Sequence, residues 1–135
     1  VSPAAVFLDT VGLLALWDED DQWHGPAEAA YAEVVRGGYP LFITAPILLE
    51  CANAAARKPF RHDVAEFRDR MEAKGAVFHP SAAEWESAWR SYAIDRPGGP
   101  GVVDQLSFLA MRRVGATHAF TNDKHFRAAG FHTLF

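Results

Sequence analysis

The sequence holds one cysteine, Cys51, so an intrachain disulfide is excluded and a reducing compartment is expected. No apolar run approaches the ~20 residues that cross a bilayer. Val1 to Leu8 also lacks the basic start and long apolar stretch of a secretory leader. These absences point to a cytoplasmic protein without a membrane role. An excess of positive charge is missing too: 13 Lys and Arg face 17 Asp and Glu, a formal net charge of −4. A global basic field for gripping nucleic acid is therefore excluded. Any such contact must come from a local patch, a metal or a partner. Repeats and low-complexity tracts are absent, and the longest polar runs, Asp18–Asp21 and Arg96–Gly101, are too short for interdomain linkers.

What is present is the material of a core. Half the residues are hydrophobic, with ten Phe and four Trp, and a length of 135 suits one domain, 1–135. Short apolar runs at Ala5–Leu8, Leu41–Ile43, Ala76–Phe78, His118–Thr121 and Phe131–Leu134 read as strands. Helical segments fall between them. Val11–Trp17 is short and apolar, and Pro26–Arg36 stops at Gly37-Gly38. Thr44 can cap a third helix, with Pro46 in its first turn, that runs through Glu50 and Asn53 to about Arg57 before Pro59 breaks it. Val64, Phe67 and Met71 share one helical face, as do Trp85, Trp89 and Tyr92. Val102–Val114 closes at Gly115, and Lys124–Ala129 is the last helix. Strands alternating with helices predict an α/β protein whose parallel sheet is covered on both faces.

In such sheets ligands bind beyond the carboxyl ends of the strands. Asp9 ends the first strand, Glu50 lies in the second turn of the helix after the second, and Asp123 ends the fourth. Asp104 opens the helix before that fourth strand. Each acid has a plainer role available. Asp9 and Asp123 can cap helices, Glu50 can be a surface acid, and Asp104 can complement a helix dipole. Their joint placement is harder to set aside. Two carboxylates ~5 Å apart repel by roughly 3 kcal/mol at an effective dielectric of ~20, so a cluster needs a cation. An all-oxygen set points to Mg²⁺ or Mn²⁺ in preference to zinc, and to attack of activated water on a phosphodiester.

Val6-Phe7-Leu8-Asp9-Thr10 resembles the opening strand of PIN domains, and Thr44 to Asn53 resembles their second-acid helix. The stretch from Val103-Asp104 through Met111-Arg112 to Ala119-Phe120-Thr121-Asn122-Asp123-Lys124-His125-Phe126 closely resembles VapC-type toxins. The resemblance implies a three-layer α/β/α sandwich around a five-stranded, mainly parallel sheet. It implies an endoribonuclease dependent on Mg²⁺ or Mn²⁺, the toxin of a type II toxin–antitoxin pair. A VapB-like antitoxin and a homodimer are implied with it. Carried over by position, Asp9, Glu50, Asp104 and Asp123 match the catalytic, metal-holding acids, and Thr10, Asn53 and Thr121 match their polar neighbours.

Other residues carry less. Cys51 sits about 100° round the helix from Glu50 and reads as a small core residue, and the histidines lack zinc-ligand spacing. Arg57, Lys58, Arg61 and His62 form the best local basic patch for RNA phosphates, with Lys124 a further candidate beside Asp123. The Trp85–Trp89–Tyr92 stripe reads as core or dimer surface. Leu13, Leu16 and Trp17 are the expected apolar seat for an antitoxin helix, whose Arg or Lys would enter the acidic site. A dehalogenase-type phosphatase needs a second Asp where Val11 stands, and a receiver domain needs an acidic pair that is missing. The remaining alternative is a PIN-fold module that binds RNA or protein without turnover.

Overall fold

A computed structural model describes residues 4–135. In chain order its elements are β1 (Val6–Leu8), α1 (Thr10–Trp17), α2 (His24–Arg36), β2 (Leu41–Thr44), α3 (Ala45–Ala54) and α4 (Arg61–Ala73). They continue with β3 (Val77–Phe78), α5 (Ala82–Ile94), α6 (Val102–Val114), β4 (His118–Phe120), α7 (Lys124–Ala128) and β5 (His132–Thr133). The strands form one sheet in the order β3-β2-β1-β4-β5, and every pairing is parallel. From β1 the chain adds strands first on one side and then on the other. Right-handed crossovers run in opposite directions then put helices on both faces. The reversal leaves a crevice between the carboxyl ends of β1 and β4.

The apolar strands are short because both their faces are covered. Phe7, Ile43, Ala119 and Phe120 are wholly buried, together with Ile47 of α3, Met111 of α6 and Phe126 of α7. Phe7 stacks on Phe126 and meets Phe42 edge-on, so rings from three elements close the centre of the sheet. Cys51 is buried in this core, and burial pushes its thiol up to about 12, as expected of an inert packing residue.

Three expectations change. Helix α3 ends at Ala54, and Arg57 and Lys58 fall in the turn that follows, where the Lys58 amide bonds to the Ala55 carbonyl. Leu13 is fully buried and so drops out of the expected seat for a partner, while Trp17, which stacks on Phe60 and meets Phe67 of α4 edge-on, and Leu16 stay only partly buried. Of the two readings of Trp85, Trp89 and Tyr92, core or dimer surface, the first falls: α5 buries Glu84 and Ala88 and turns its aromatic stripe outward.

Gly12 is the glycine on which the site depends. A Cβ there would stand 2.1 Å from the Phe120 carbonyl oxygen, so only glycine lets α1 lie against the end of β4.

Candidate active site

Asp9 follows β1 directly and is 2% exposed. It occupies the position before α1, yet its side chain makes no capping bond. Instead its Oδ2 accepts a hydrogen bond of 2.8 Å from the Thr121 hydroxyl, just past β4. The plainer capping role is thereby excluded for Asp9. Burial pushes its carboxyl up to about 7; the Thr121 bond opposes this, and the charges of Asp104 and Asp123 add to it.

Asp123 does cap its helix: Oδ1 accepts from the His125 amide at 2.9 Å. The same oxygen lies 3.1 Å from His125 Nδ1, so capping and membership of the site coexist. Its own amide donates to Thr121 Oγ1 at 3.1 Å. Asp104, in the first turn of α6, accepts from the Gly101 amide at 3.1 Å. Burial raises its pKa, the Gly101 bond works against that, and Asp123 raises it further. Glu50 reaches in from the exposed side of α3 and accepts from the Thr10 hydroxyl at 2.6 Å.

The four acids therefore converge. With Thr10, Val11 and Asn53 they line one open cleft of about 480 Å³. Oxygens of Asp104 and Asp123 and a ring nitrogen of His125 lie within 4.8 Å of one another. Among the described residues, no lysine or arginine is ion-paired with any of the four. Carboxylates gathered in one cleft, with only the His125 ring beside Asp123 to offset them, form a donor set that fits a hard divalent cation.

The candidate basic residues lie outside the acidic cleft. Lys58 is drawn to Asp18 at 3.8 Å, Arg61 donates to the Ala56 carbonyl at 2.9 Å, and Arg57 is exposed. None of the three lines the acidic cleft. Lys124 lines the neighbouring cleft instead. His125, which directly follows Asp123 and Lys124 and reads from the sequence as either a substrate contact or a packing residue, joins the acids in the structure. Its Nε2 donates to the Gly98 carbonyl at 2.9 Å, a contact across 27 positions. That bond, then the nearby Asp123 and Asp104, raise the pKa of the ring.

An acidic cleft at the switch point of an all-parallel sheet fits the class of metal-assisted phosphodiester hydrolases. The chain belongs to the PIN-domain family, whose model matches residues 6–132, and within it to the VapC-type toxins. It is 30% identical over 131 residues to the 23S rRNA-specific endonuclease VapC20 of Mycobacterium tuberculosis, covering 93% of this chain and 95% of that one. The crystal structure of VapC20, described as a sarcin–ricin-loop-cleaving toxin, superposes with a TM-score of 0.76 at 27% identity, covering 93% and 95%. FitAcB from Neisseria gonorrhoeae shares the fold, with a TM-score of 0.62 at 16% identity over 96% of each chain. PIN domains are nucleases that hydrolyse RNA and use divalent metals; this chain is an endoribonuclease of that family.

Proposed function

We propose that the chain is the toxin of a toxin–antitoxin pair that cuts ribosomal RNA with Mg²⁺ or Mn²⁺, at a single active site made of Asp9, Glu50, Asp104 and Asp123. The observation that carries the reading is the buried Asp9 among three further acids with no pairing lysine or arginine. Ribosomal RNA is preferred as substrate because the relative VapC20 is a 23S rRNA-specific endonuclease.

The acids divide the work by position. Asp9, Asp104 and Asp123 would hold the cation, with Glu50 and Asn53 at the rim nearer solvent. When bound, the cation supplies Lewis-acid polarisation of the phosphate and lowers the pKa of attacking water. Thr121 fixes the Asp9 carboxylate and favours its ionised form. Thr10 orients Glu50 at 2.6 Å, so that a carboxylate oxygen faces the cleft as a proton acceptor.

Regulation by a VapB-like antitoxin follows from the same charge pattern. A partner's Arg or Lys placed among these acids would form charge-assisted hydrogen bonds and displace the cation. The outward aromatic stripe of α5 is the surface best suited to a homodimer.

The deciding experiment incubates the protein with ribosomes and a labelled sarcin–ricin RNA hairpin in Mg²⁺, Mn²⁺ or EDTA. Cleavage at one position with either metal, and none in EDTA, is expected. Cleavage undiminished in EDTA, or by an Asp9→Asn variant, would overturn the reading.

A further inference from the structure

A second cleft, of about 540 Å³, adjoins the acidic one. Its walls are the loop before α6, one face of α6 and α7 with the residue that follows it. It is lined by Arg96, Arg112 and Lys124, and among the described residues none of these three cations has an acidic partner. In a chain of net charge −4, three unpaired cations in one hollow are a local reversal of sign. The acid in the lining, Asp95, already accepts from the Arg96 amide at 2.8 Å.

His125, in the lining of the basic cleft, links it to the acidic one. Its Nδ1 faces Asp123 in the acidic cleft at 3.1 Å, and its Nε2 holds the Gly98 carbonyl at 2.9 Å in the basic one. Arg112 is also pre-positioned: its guanidinium lies over the rings of Phe108 and Phe131, at 6.0 and 5.5 Å from their centroids. A stacked guanidinium keeps its in-plane donors free for a phosphate and loses less freedom on binding one.

We infer that this basic cleft is the phosphate-binding subsite of the RNA strand, gripping backbone next to the phosphodiester held over the acids. The inference deepens the endoribonuclease reading and moves the RNA path away from the Arg57–Arg61 turn. Arg96, Arg112 and Lys124 position the strand; they do not touch the reacting phosphorus. Their contacts are with phosphate oxygens and are therefore blind to base sequence. An acidic segment of a protein partner could match the same charges. The RNA is favoured because the subsite opens beside the acids, where the substrate must run.

The test is binding of a short unstructured labelled RNA by the full chain in EDTA, across a range of salt concentrations. The variant is Arg96→Gln/Arg112→Met/Lys124→Gln, where Met keeps an apolar stem on Phe108 and Phe131. Affinity at low salt should fall at least tenfold. The slope of log affinity against log salt should drop by about 2, at roughly 0.7 per lost single-strand phosphate contact. With metal present, KM should rise while kcat changes little. The Arg96→Gln/Lys124→Gln pair, both exposed, repeats the test without touching packing and should lose about two-thirds of that slope. Arg57→Gln/Lys58→Gln/Arg61→Gln should leave the slope unchanged.

Wild-type slope and affinity in the first two variants overturn the inference, and so does wild-type protein that binds no RNA in EDTA. Intact RNA binding with lost capture of the antitoxin would assign the cleft to the partner, which also overturns it. Salt-dependent RNA binding through these residues without metal-dependent cleavage would sink the nuclease reading and leave the subsite standing.

Discussion

Asp9 and Thr121 stand 112 positions apart and are joined by a hydrogen bond of 2.8 Å. The bond follows from register: β1 and β4 are adjacent and parallel, with Leu8 paired to Phe120, so the next positions of both strands meet at the sheet edge. The Thr121 hydroxyl gives its proton to Asp9 and accepts from the Asp123 amide at 3.1 Å. One small buried side chain thus spans the switch point and holds two of the acids.

Thr121→Val keeps the shape and removes that hydroxyl. Asp9 then loses the hydrogen bond that favours its charged form, and its pKa moves higher still. The acidic limb of the cleavage pH profile should shift upward, and Thr121→Ser should restore it. A cost of about 1–3 kcal/mol in urea unfolding is expected from the buried groups left unpaired. A profile that stays in place would remove Thr121 from the tuning of Asp9.

The metal-free protein should lose stability as pH rises from about 4 to about 7. The folded-state pKa of Asp9 is raised from 3.8 to about 7, so across that window the folded protein keeps a proton that the unfolded chain releases. Asp104 is shifted in the same direction. The raised Asp9 pKa amounts to roughly 4 kcal/mol, at 1.36 kcal/mol per pH unit. Asp9→Asn should flatten most of the slope, and at pH 8 in EDTA it should melt higher than wild type while failing to cleave. Melting curves in EDTA at several pH values check this, and a wild-type midpoint that rises across the window contradicts it.

Adding Mg²⁺ or Mn²⁺ should reverse that loss. Cation and proton compete for the same carboxylates, so binding should release protons near pH 6 and tighten toward pH 8. At a hundredfold excess over the dissociation constant, stabilisation of about 2.7 kcal/mol is expected, and EDTA should remove it. Asp104→Asn should lose most of it. Calorimetry in buffers of different ionisation enthalpy would count the protons.

The sheet and the acids were legible in the sequence for a physical reason. Covered parallel strands are short apolar runs, and their carboxyl ends are where Asp9 and Asp123 stand. What was not legible depends on which side an element turns. Trp85, Trp89 and Tyr92 mark a helical face, yet periodicity cannot say that α5 buries Glu84 and Ala88 and shows its rings to solvent. The apolar pattern of Leu13 and Trp17 likewise cannot tell a docking surface from the buried core that takes Leu13 and the seam with α4 that takes Trp17. Arg57, Lys58 and Arg61 are neighbours in sequence and look like a patch, but the turn after α3 and the start of α4 hold them off the cleft. Lys124 stands out beside Asp123, but Arg96 and Arg112 are scattered and join it only when loop, α6 and α7 are folded together.

Gly12→Ala isolates the contact on which the site depends. Within a helix, alanine is the better residue by roughly 0.5–1 kcal/mol, so local propensity alone predicts stabilisation. The fold predicts the opposite sign. The new Cβ would stand 2.1 Å from the Phe120 carbonyl oxygen and 2.8 Å from its carbon, and backbone atoms held in a parallel sheet have no room to yield. Helix α1 must lift from the end of β4, taking Asp9 at its head away from Thr121. A net loss of about 1–3 kcal/mol in the urea midpoint is expected, as for other overpacked sites. Cleavage should fall with it, even at saturating metal. Gly25→Ala in α2 is the control: nothing lies within 4 Å of a Cβ there, so the same change should be neutral or mildly stabilising. A Gly12→Ala protein as stable and as active as the Gly25→Ala protein would mean that α1 does not rest on β4, and the Asp9–Thr121 bond would need another explanation.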